Sequence, residues 1–294
     1  MNQIFKMAVD ETGIGVVTFS VPGGALNTWT EAALRGFARL IEELEVAKGI
    51  RGVLFISEKP ENFLAGANLK MLARLQSPEE VQRFLHLFHG AFDRLNAQGY
   101  PVVAAIHGHC LGGGLEFALA CTGRIAREGE KTLLGLPECT VGLMPGGGGT
   151  QRLPRLIGYD AIGLVLKGTL LTAAQALEVG IIDRLVPEEG DLLCAARAFL
   201  EELIAGTADI KRRDWDFSGI DAIVGETREG IPPEAQGGIL PGPALALKAM
   251  QEGLKVSLEA GLEIEKRYFT EAVLSPEAKA CIDAFFRARE AAGR

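Results

Sequence analysis

Positive charge is in short supply: 30 Lys and Arg stand against 38 Asp and Glu, a formal net charge of −8. That balance argues against a general nucleic-acid footprint, although a local basic patch such as Lys211 to Arg213 still offers phosphate contacts. The five cysteines, at 110, 121, 139, 194 and 281, contain no CxxC pair and are odd in number. They read as reduced, mostly buried thiols of a reducing compartment. No charged-then-apolar leader opens the chain, which speaks against secretion. The one stretch long enough to cross a bilayer, residues 101–121, holds His107, His109, Glu116 and four glycines, which argues against a membrane helix. The expected location is therefore cytoplasmic. Neither glycine run ends in Gly-Lys-Ser/Thr, and no GxGxxG fingerprint follows a strand, so the nucleotide-phosphate loops are excluded. No internal repeat of solenoid length is present.

What is present is an ordinary globular composition, 48% hydrophobic and 23% charged over 294 residues, enough for one large domain or two smaller ones. Apolar, β-branched runs predict strands at Ile14 to Ser20, Gly52 to Ser57, Val102 to His107, Arg124 to Ala126 and Ile181 to Val186. Helical spacing predicts a helix through Leu34, Phe37, Leu40, Ile41 and Leu44, opened by Thr28 or Thr30. Ser77, Pro78, Glu79 and Glu80 start another, with His86 and His89 beside its apolar stripe at a solvated rim. The interleaving of strands and helices is that of an α/β protein. Residues 1–205 form the expected core. Residues 206–243, rich in Gly, Pro and charge, read as a polar linker-like insertion with one short turn of structure. Residues 244–294 contain three helical patterns, 244–256, 258–273 and one from Ser275 onward, expected as a helical lobe.

Two features carry chemistry. Glu116 sits in an apolar helix directly after Gly112, Gly113 and Gly114, and its i−4 and i+4 neighbours are Gly112 and Ala120, so no basic side chain of that helix neutralises it. It is either a structural carboxylate satisfied by backbone N–H groups or a distant arginine, or an acid whose environment tunes it for catalysis. A second acid, Glu138, follows Pro137 in another apolar context. Two small-residue loops, Ala65 to Ala67 and Gly112 to Gly114, each lead into a helix and offer unpaired N–H groups at a positive helix end. If they converge, they form an oxyanion hole, and two convergent carboxylates supply a general acid and a general base. Histidines 86, 89, 107 and 109 lack further ligands at metal spacing, so no metal is expected.

The segments FLAGANLKM (63–71), AAIHGHCLGGGLEFALAC (104–121), LGLPECTVGLMPGGGGTQRLPRLIG (134–158) and TAAQALEVGIIDRLVP (172–187) occur in the order and character of the crotonase superfamily, and the chain most closely resembles its enoyl-CoA hydratases. The polar insertion and SPEAKACIDAFF (275–286) are similar to the hydratase module of multifunctional fatty-acid oxidation proteins. The resemblance implies a crotonase (ClpP-like) fold, repeated ββα turns stacked into a superhelical core and capped by a C-terminal helical lobe. It implies hydration of a trans-2-enoyl-CoA to a 3-hydroxyacyl-CoA in β-oxidation, with Δ3-Δ2-enoyl-CoA isomerisation or non-catalytic acyl-CoA binding as the alternatives. Backbone N–H groups of Ala67 and Gly113 would hold the thioester oxygen, with Glu116 acting on water and Glu138 on the α-carbon. Ala65, Gly66, Asn68, Lys70, Gly112, Pro137 and Gly146 would line the substrate or coenzyme A. Asn68 stands where the family usually has Asp. Lys70, Lys266 and Lys279 are candidate partners for the phosphates of coenzyme A, with an ordinary solvated face as the alternative reading of each. No cofactor is implied beyond the coenzyme A of the substrate. The partners implied are further copies, as in a trimer, or a fused or associated 3-hydroxyacyl-CoA dehydrogenase.

Overall fold

The computed structural model describes residues 4–210, 212–230 and 241–291. Among the described residues ten strands run in chain order: β1 (Phe5–Val9), β2 (Ile14–Phe19), β3 (Gly52–Ser57), β4 (Asn62–Leu64), β5 (Val102–Ile106), β6 (His109–Leu111), β7 (Gly123–Arg127), β8 (Leu133–Gly135), β9 (Leu171–Thr172) and β10 (Arg184–Val186). They form a six-stranded sheet, β1-β2-β3-β5-β7-β10, and a four-stranded sheet, β4-β6-β8-β9. In the larger sheet only β1 and β2 are antiparallel. The chain divides into two compact units. The first comprises Met1–Ala67, His86–Leu134 and Leu171–Arg212, and the second Asn68–Leu85, Gly135–Leu170 and Arg213–Arg294. Among the described residues no helix is long and apolar enough to cross a membrane.

Along the chain, successive strand pairs are shared between the sheets. β3, β5 and β7 lie in the larger sheet, and β4, β6 and β8, which follow them, lie in the smaller. A helix comes after each pair, beginning at Leu69, Gly113 and Pro137 respectively. This is the expected ββα repeat. Five of the larger sheet's strands were expected, β3 and β5 most plainly as the continuous apolar runs of parallel strands covered on both faces, whereas β1, mostly exposed, was not. The strands of the smaller sheet are two or three residues long, too short for alternation to register, and the sequence reading missed them.

Alternation along the long strands feeds two cores. Leu54 of β3 joins Ile14, Val103, Ala105 and Ile125 against Ala196, Phe199 and Leu200 of the helix Leu192–Ala205. Phe55 faces the other way, its ring 5.0 Å from that of Phe117 and 6.0 Å from that of Phe37. Phe117 belongs to the helix Gly113–Ala120, every residue of which is buried. That helix has no solvated face, so its polar ends must be satisfied by the protein. Arg124 of β7 closes the C-terminal end. Its guanidinium donates to Ala118 O at 3.3 Å and Cys121 O at 2.9 Å, and also to Ile181 O at 2.8 Å. Asp183, itself buried, accepts from the Arg124 side chain at 3.3 Å and backbone at 2.8 Å, and from Arg212 at 2.6 Å. A cation thus sits at the negative end of the helix. Burial pulls the guanidinium's pKa down and Asp183 opposes it.

In the second unit the helices Pro241–Gly253, Leu258–Leu274 and Pro276–Ala291 lie within a few residues of the three expected patterns. The insertion holds more structure than one short turn. A helix spans Ile220–Gly230, with Ile220 and Val224 buried one turn apart. Ahead of it, Trp215 donates to Leu156 O at 3.2 Å and Asp216 O accepts from Tyr159 at 3.1 Å. Its apolar residues, Ile220, Ala222, Ile223 and Val224, all fall in the first five positions and are followed by Gly and charge, too short a run to show helical spacing. Lys211 and residues 231–240 lie outside the described residues. A second correction concerns His89, expected at a solvated rim; it is 1% exposed, beside the ring of Phe88.

Replacing Arg124 with leucine strands Asp183 and the carbonyls at the end of the Gly113–Ala120 helix. We expect Arg124→Leu to lose about 3–5 kcal/mol of stability, read as a lower midpoint in urea unfolding, whereas the exposed pair partner Arg35→Leu should lose less than about 1 kcal/mol.

Candidate active site

The first unit brings together the two small-residue loops. After β4, the chain turns through Ala65, Gly66 and Ala67. Ala65 N–H donates to Asn27 O at 2.8 Å, and Trp29 N–H donates to Gly66 O at 2.8 Å, so a parallel bridge joins Trp29 to Ala67. Asn27 is fully buried; its side chain accepts from Val21 N–H at 2.7 Å and donates to Ser57 Oγ at 2.8 Å and Phe63 O at 3.1 Å. Beneath the same region, buried Lys59 donates to Val21 O, Gly24 O and Leu26 O, and burial lowers its pKa. The turn is therefore held by internal hydrogen bonds rather than by solvent.

Next to it, β6 ends and Gly112, at φ 52°, turns the chain into the helix Gly113–Ala120. A Cβ on Gly66 would stand 3.1 Å from Leu111 O and 3.5 Å from Gly113 N, and one on Gly113 would stand 3.6 Å from Ala67 N. On Gly114 it would overlap Leu64 O. At Gly114 backbone meets backbone with no room for a side chain, and at Gly66 the Leu111 carbonyl leaves little. Gly113 is the first residue of its helix, so its N–H is one that the helix itself leaves unpaired. Glu116 lies in the first turn of the same helix at 3% exposure, where the positive helix end favours a carboxylate. The buried arginine of this unit, Arg124, directs its guanidinium to Asp183 and to carbonyls. Ala65, Gly66, Ala67, Gly112, Gly113 and Glu116 thus form one cluster. Of the two nearby histidines, His107 is buried, its Nε2 bonds Lys59 O at 2.8 Å, and burial lowers its pKa. Among the described residues no group of three or more His, Cys, Asp or Glu is placed to hold a metal.

The second unit carries the remaining candidates. Pro137 opens a 3-10 helix, Pro137–Val141, and Glu138 follows it, half-buried, its carbonyl accepting from Leu143 N–H at 3.1 Å. Burial, together with the Glu138 charge, pushes the Cys139 thiol up. Gly146 lies against the Phe269 ring so closely that a Cβ would overlap it. Asn68 caps the helix Leu69–Leu72, accepting from Met71 N–H at 3.1 Å, so capping does not need the aspartate expected there. Lys70 Nζ lies 5.1 Å over the Phe286 ring. Lys266 pairs with Glu263 at 2.7 Å, and Lys279 donates to Gln76 at 3.4 Å.

Glu265 was missed. It is fully buried and accepts from Gly148 N–H at 2.6 Å, Thr150 N–H at 2.8 Å and Thr150 Oγ1 at 2.6 Å. The glycine run at the start of the helix Gly149–Ile157 therefore binds an anion supplied by the protein itself. A signal existed: Leu262, Glu265 and Phe269 share one face of the helix Leu258–Leu274, an acid on an apolar stripe just as at Glu116. Trp29 and Asn27 were missed because they lie in an irregular segment with no periodicity.

The family model described as enoyl-CoA hydratase/isomerase matches residues 10–213. The fatty acid oxidation complex subunit alpha of Shewanella loihica is 36% identical over 300 residues, a match covering 99% of this chain and 42% of that protein. The chain thus spans less than half the length of such relatives. A solved enoyl-CoA hydratase from Bacillus anthracis superposes with a TM-score of 0.59 at 28% identity, covering 97% of each chain. Human mitochondrial delta3-delta2-enoyl-CoA isomerase superposes with a TM-score of 0.71 at 23% identity, covering 98% of each chain. The fold is the crotonase fold.

The Glu265→Gln substitution removes the charge and one acceptor while keeping the shape. We expect a stability loss of about 1.5–3 kcal/mol, measured by urea unfolding; an unchanged midpoint would show that the carboxylate does not hold the glycine turn.

Proposed function

The chain belongs to the enoyl-CoA hydratase/isomerase family, and from that premise we propose that it adds water across the double bond of a trans-2-enoyl-CoA to give the 3-hydroxyacyl-CoA. The observation that carries this reading is the meeting of the Gly66–Ala67 turn with Gly112 and Gly113, one helical turn ahead of a buried glutamate. In the proposed reaction, Ala67 N–H and Gly113 N–H donate to the thioester oxygen and stabilise the negative charge that develops there. Glu116 takes a proton from water as the water oxygen bonds to the β-carbon, and Glu138 delivers a proton to the α-carbon. The sum is one water added, with no electrons gained or lost, so the reaction needs no metal or redox cofactor. Glu138 enters as the acid that follows the second strand of the third ββα repeat, as Glu116 follows that of the second.

Ala65, Gly66 and Gly112 shape the oxyanion turn in this reading, while Asn68, Lys70, Pro137 and Gly146 belong to the substrate surface. Because the product is a secondary alcohol β to a thioester, the chemistry suits a following oxidation. We place the chain, in the cytoplasm, alongside or fused to a 3-hydroxyacyl-CoA dehydrogenase.

Glu116→Gln and Glu138→Gln should each lower kcat for hydration by roughly 10² to 10⁴ while circular dichroism stays that of the wild type. Loss of the enoyl-thioester absorbance measures the rate, and wild-type turnover by both variants would sink the assignment. Supplying 3-enoyl-CoA separates hydration from double-bond migration, since a dedicated isomerase would consume it and leave 2-enoyl-CoA unhydrated.

A further inference from the structure

We propose that Trp29 is a positioning residue that sets the spacing of the two oxyanion donors, holding one peptide with its backbone and the other loop with its indole. This rests on the assignment of Ala67 and Gly113 as those donors.

The backbone N–H of Trp29 donates to Gly66 O at 2.8 Å. That carbonyl and the Ala67 N–H are the two ends of one planar peptide unit, so a donor fixed on the oxygen fixes the direction of the N–H. It also polarises the unit and makes Ala67 a better donor. The indole Nε1–H of the same residue donates to Gly113 O at 3.0 Å. A Cβ on Gly113 would stand only 3.1 Å from the indole Cδ1 and 3.1 Å from Phe88 Cζ, so the ring already lies against that glycine. One side chain therefore registers the start of the Gly113–Ala120 helix against the Ala65–Ala67 turn.

The indole is itself immobilised. Trp29 is 1% exposed. Its ring meets Phe37, Phe88 and Phe117 edge-on at centroid distances of 5.4, 5.6 and 6.0 Å, and lies 6.4 Å from Phe5 and 6.1 Å from Phe92. Swinging the indole off Gly113 would require displacing several buried rings at once. A buried indole needs an acceptor for its N–H. Here the acceptor is the residue whose own N–H is the second donor, which an apolar ring in the same space would leave unlatched. Donors to a developing oxyanion must stand about 2.7–3.1 Å from it, and a displacement of about 1 Å costs about 10²-fold in rate. Trp29 acts through the two peptides.

The test is Trp29→Phe, which keeps an aromatic ring and removes the indole N–H. A second variant carries benzothienylalanine at position 29, with sulfur in place of the N–H, and preserves the packing should the phenylalanine variant fail to fold. We expect kcat for enoyl-CoA hydration to fall about 10- to 100-fold with KM little changed. We also expect the infrared carbonyl stretch of a bound ¹³C-labelled thioester, lowered by the donors in the wild type, to move back toward its value in free solution. A folded variant with wild-type kcat and an unmoved carbonyl frequency would overturn the proposal. So would a variant that loses only thermal stability, since that reduces Trp29 to packing. Absence of any carbonyl shift in the wild type would overturn the donor assignment beneath the proposal, and is recognisable as such because it precedes any substitution.

Discussion

The fold depends on one close approach of backbone to backbone. Where the Gly113–Ala120 helix starts, its first turn lies directly on β4 and the turn that follows, and Gly114 meets Leu64 O without room for a Cβ. Everything around the contact follows from bringing two main chains so near. The helix so placed has no solvated side, so Arg124 must close its far end, and aromatic rings must fill its flanks. Asn27, Ser57 and Asn62 must accept from the N–H groups of Val21, Lys59 and Asn27, which the irregular segments beside β4 leave unpaired. The return is two N–H groups on separate loops, close together and backed by rigid structure.

Buried charge is handled in a consistent way. Glu265 meets N–H groups at the start of one helix, Arg124 meets carbonyls at the end of another, and Lys59 meets three carbonyls of the segment after β2. In each case oriented peptide groups supply hydrogen bonds to the buried charge and offset part of the cost of burying it. Around Arg124 the ionised groups Asp183 and Arg212 join in as well. Glu116 shares the helix-start placement of Glu265, yet it sits in the first turn itself, whereas Glu265 reaches a helix start from a distant segment.

How much of this could be read beforehand followed the length of the signal. The long apolar strands, the helix start at Ser77 to Glu80 and the glycine–acid segment around Glu116 were visible, because each carries its pattern within a few consecutive residues, while the choice between Thr28 and Thr30 as a cap was settled only by the fold, in favour of Thr30. The ββα repeat was visible only through resemblance, since its second strands are too brief to alternate. Trp29 and Glu265 were invisible for another reason. Their partners lie 84 residues away for the indole and 117 and 115 for the carboxylate, and no local pattern encodes such a pairing. Glu265 leaves one trace, an acid on an apolar stripe, which marks structural and reactive acids alike; Trp29, in an irregular segment, leaves none.

The Glu265 contact has a consequence for how the second unit comes into being on the ribosome. The glycine turn at 146–149 emerges well before the helix that carries its anion. During that interval the turn's N–H groups face water or whatever anion the surroundings provide. Completion of the unit is therefore an act of late delivery, in which a carboxylate made more than a hundred residues later locks a turn made earlier.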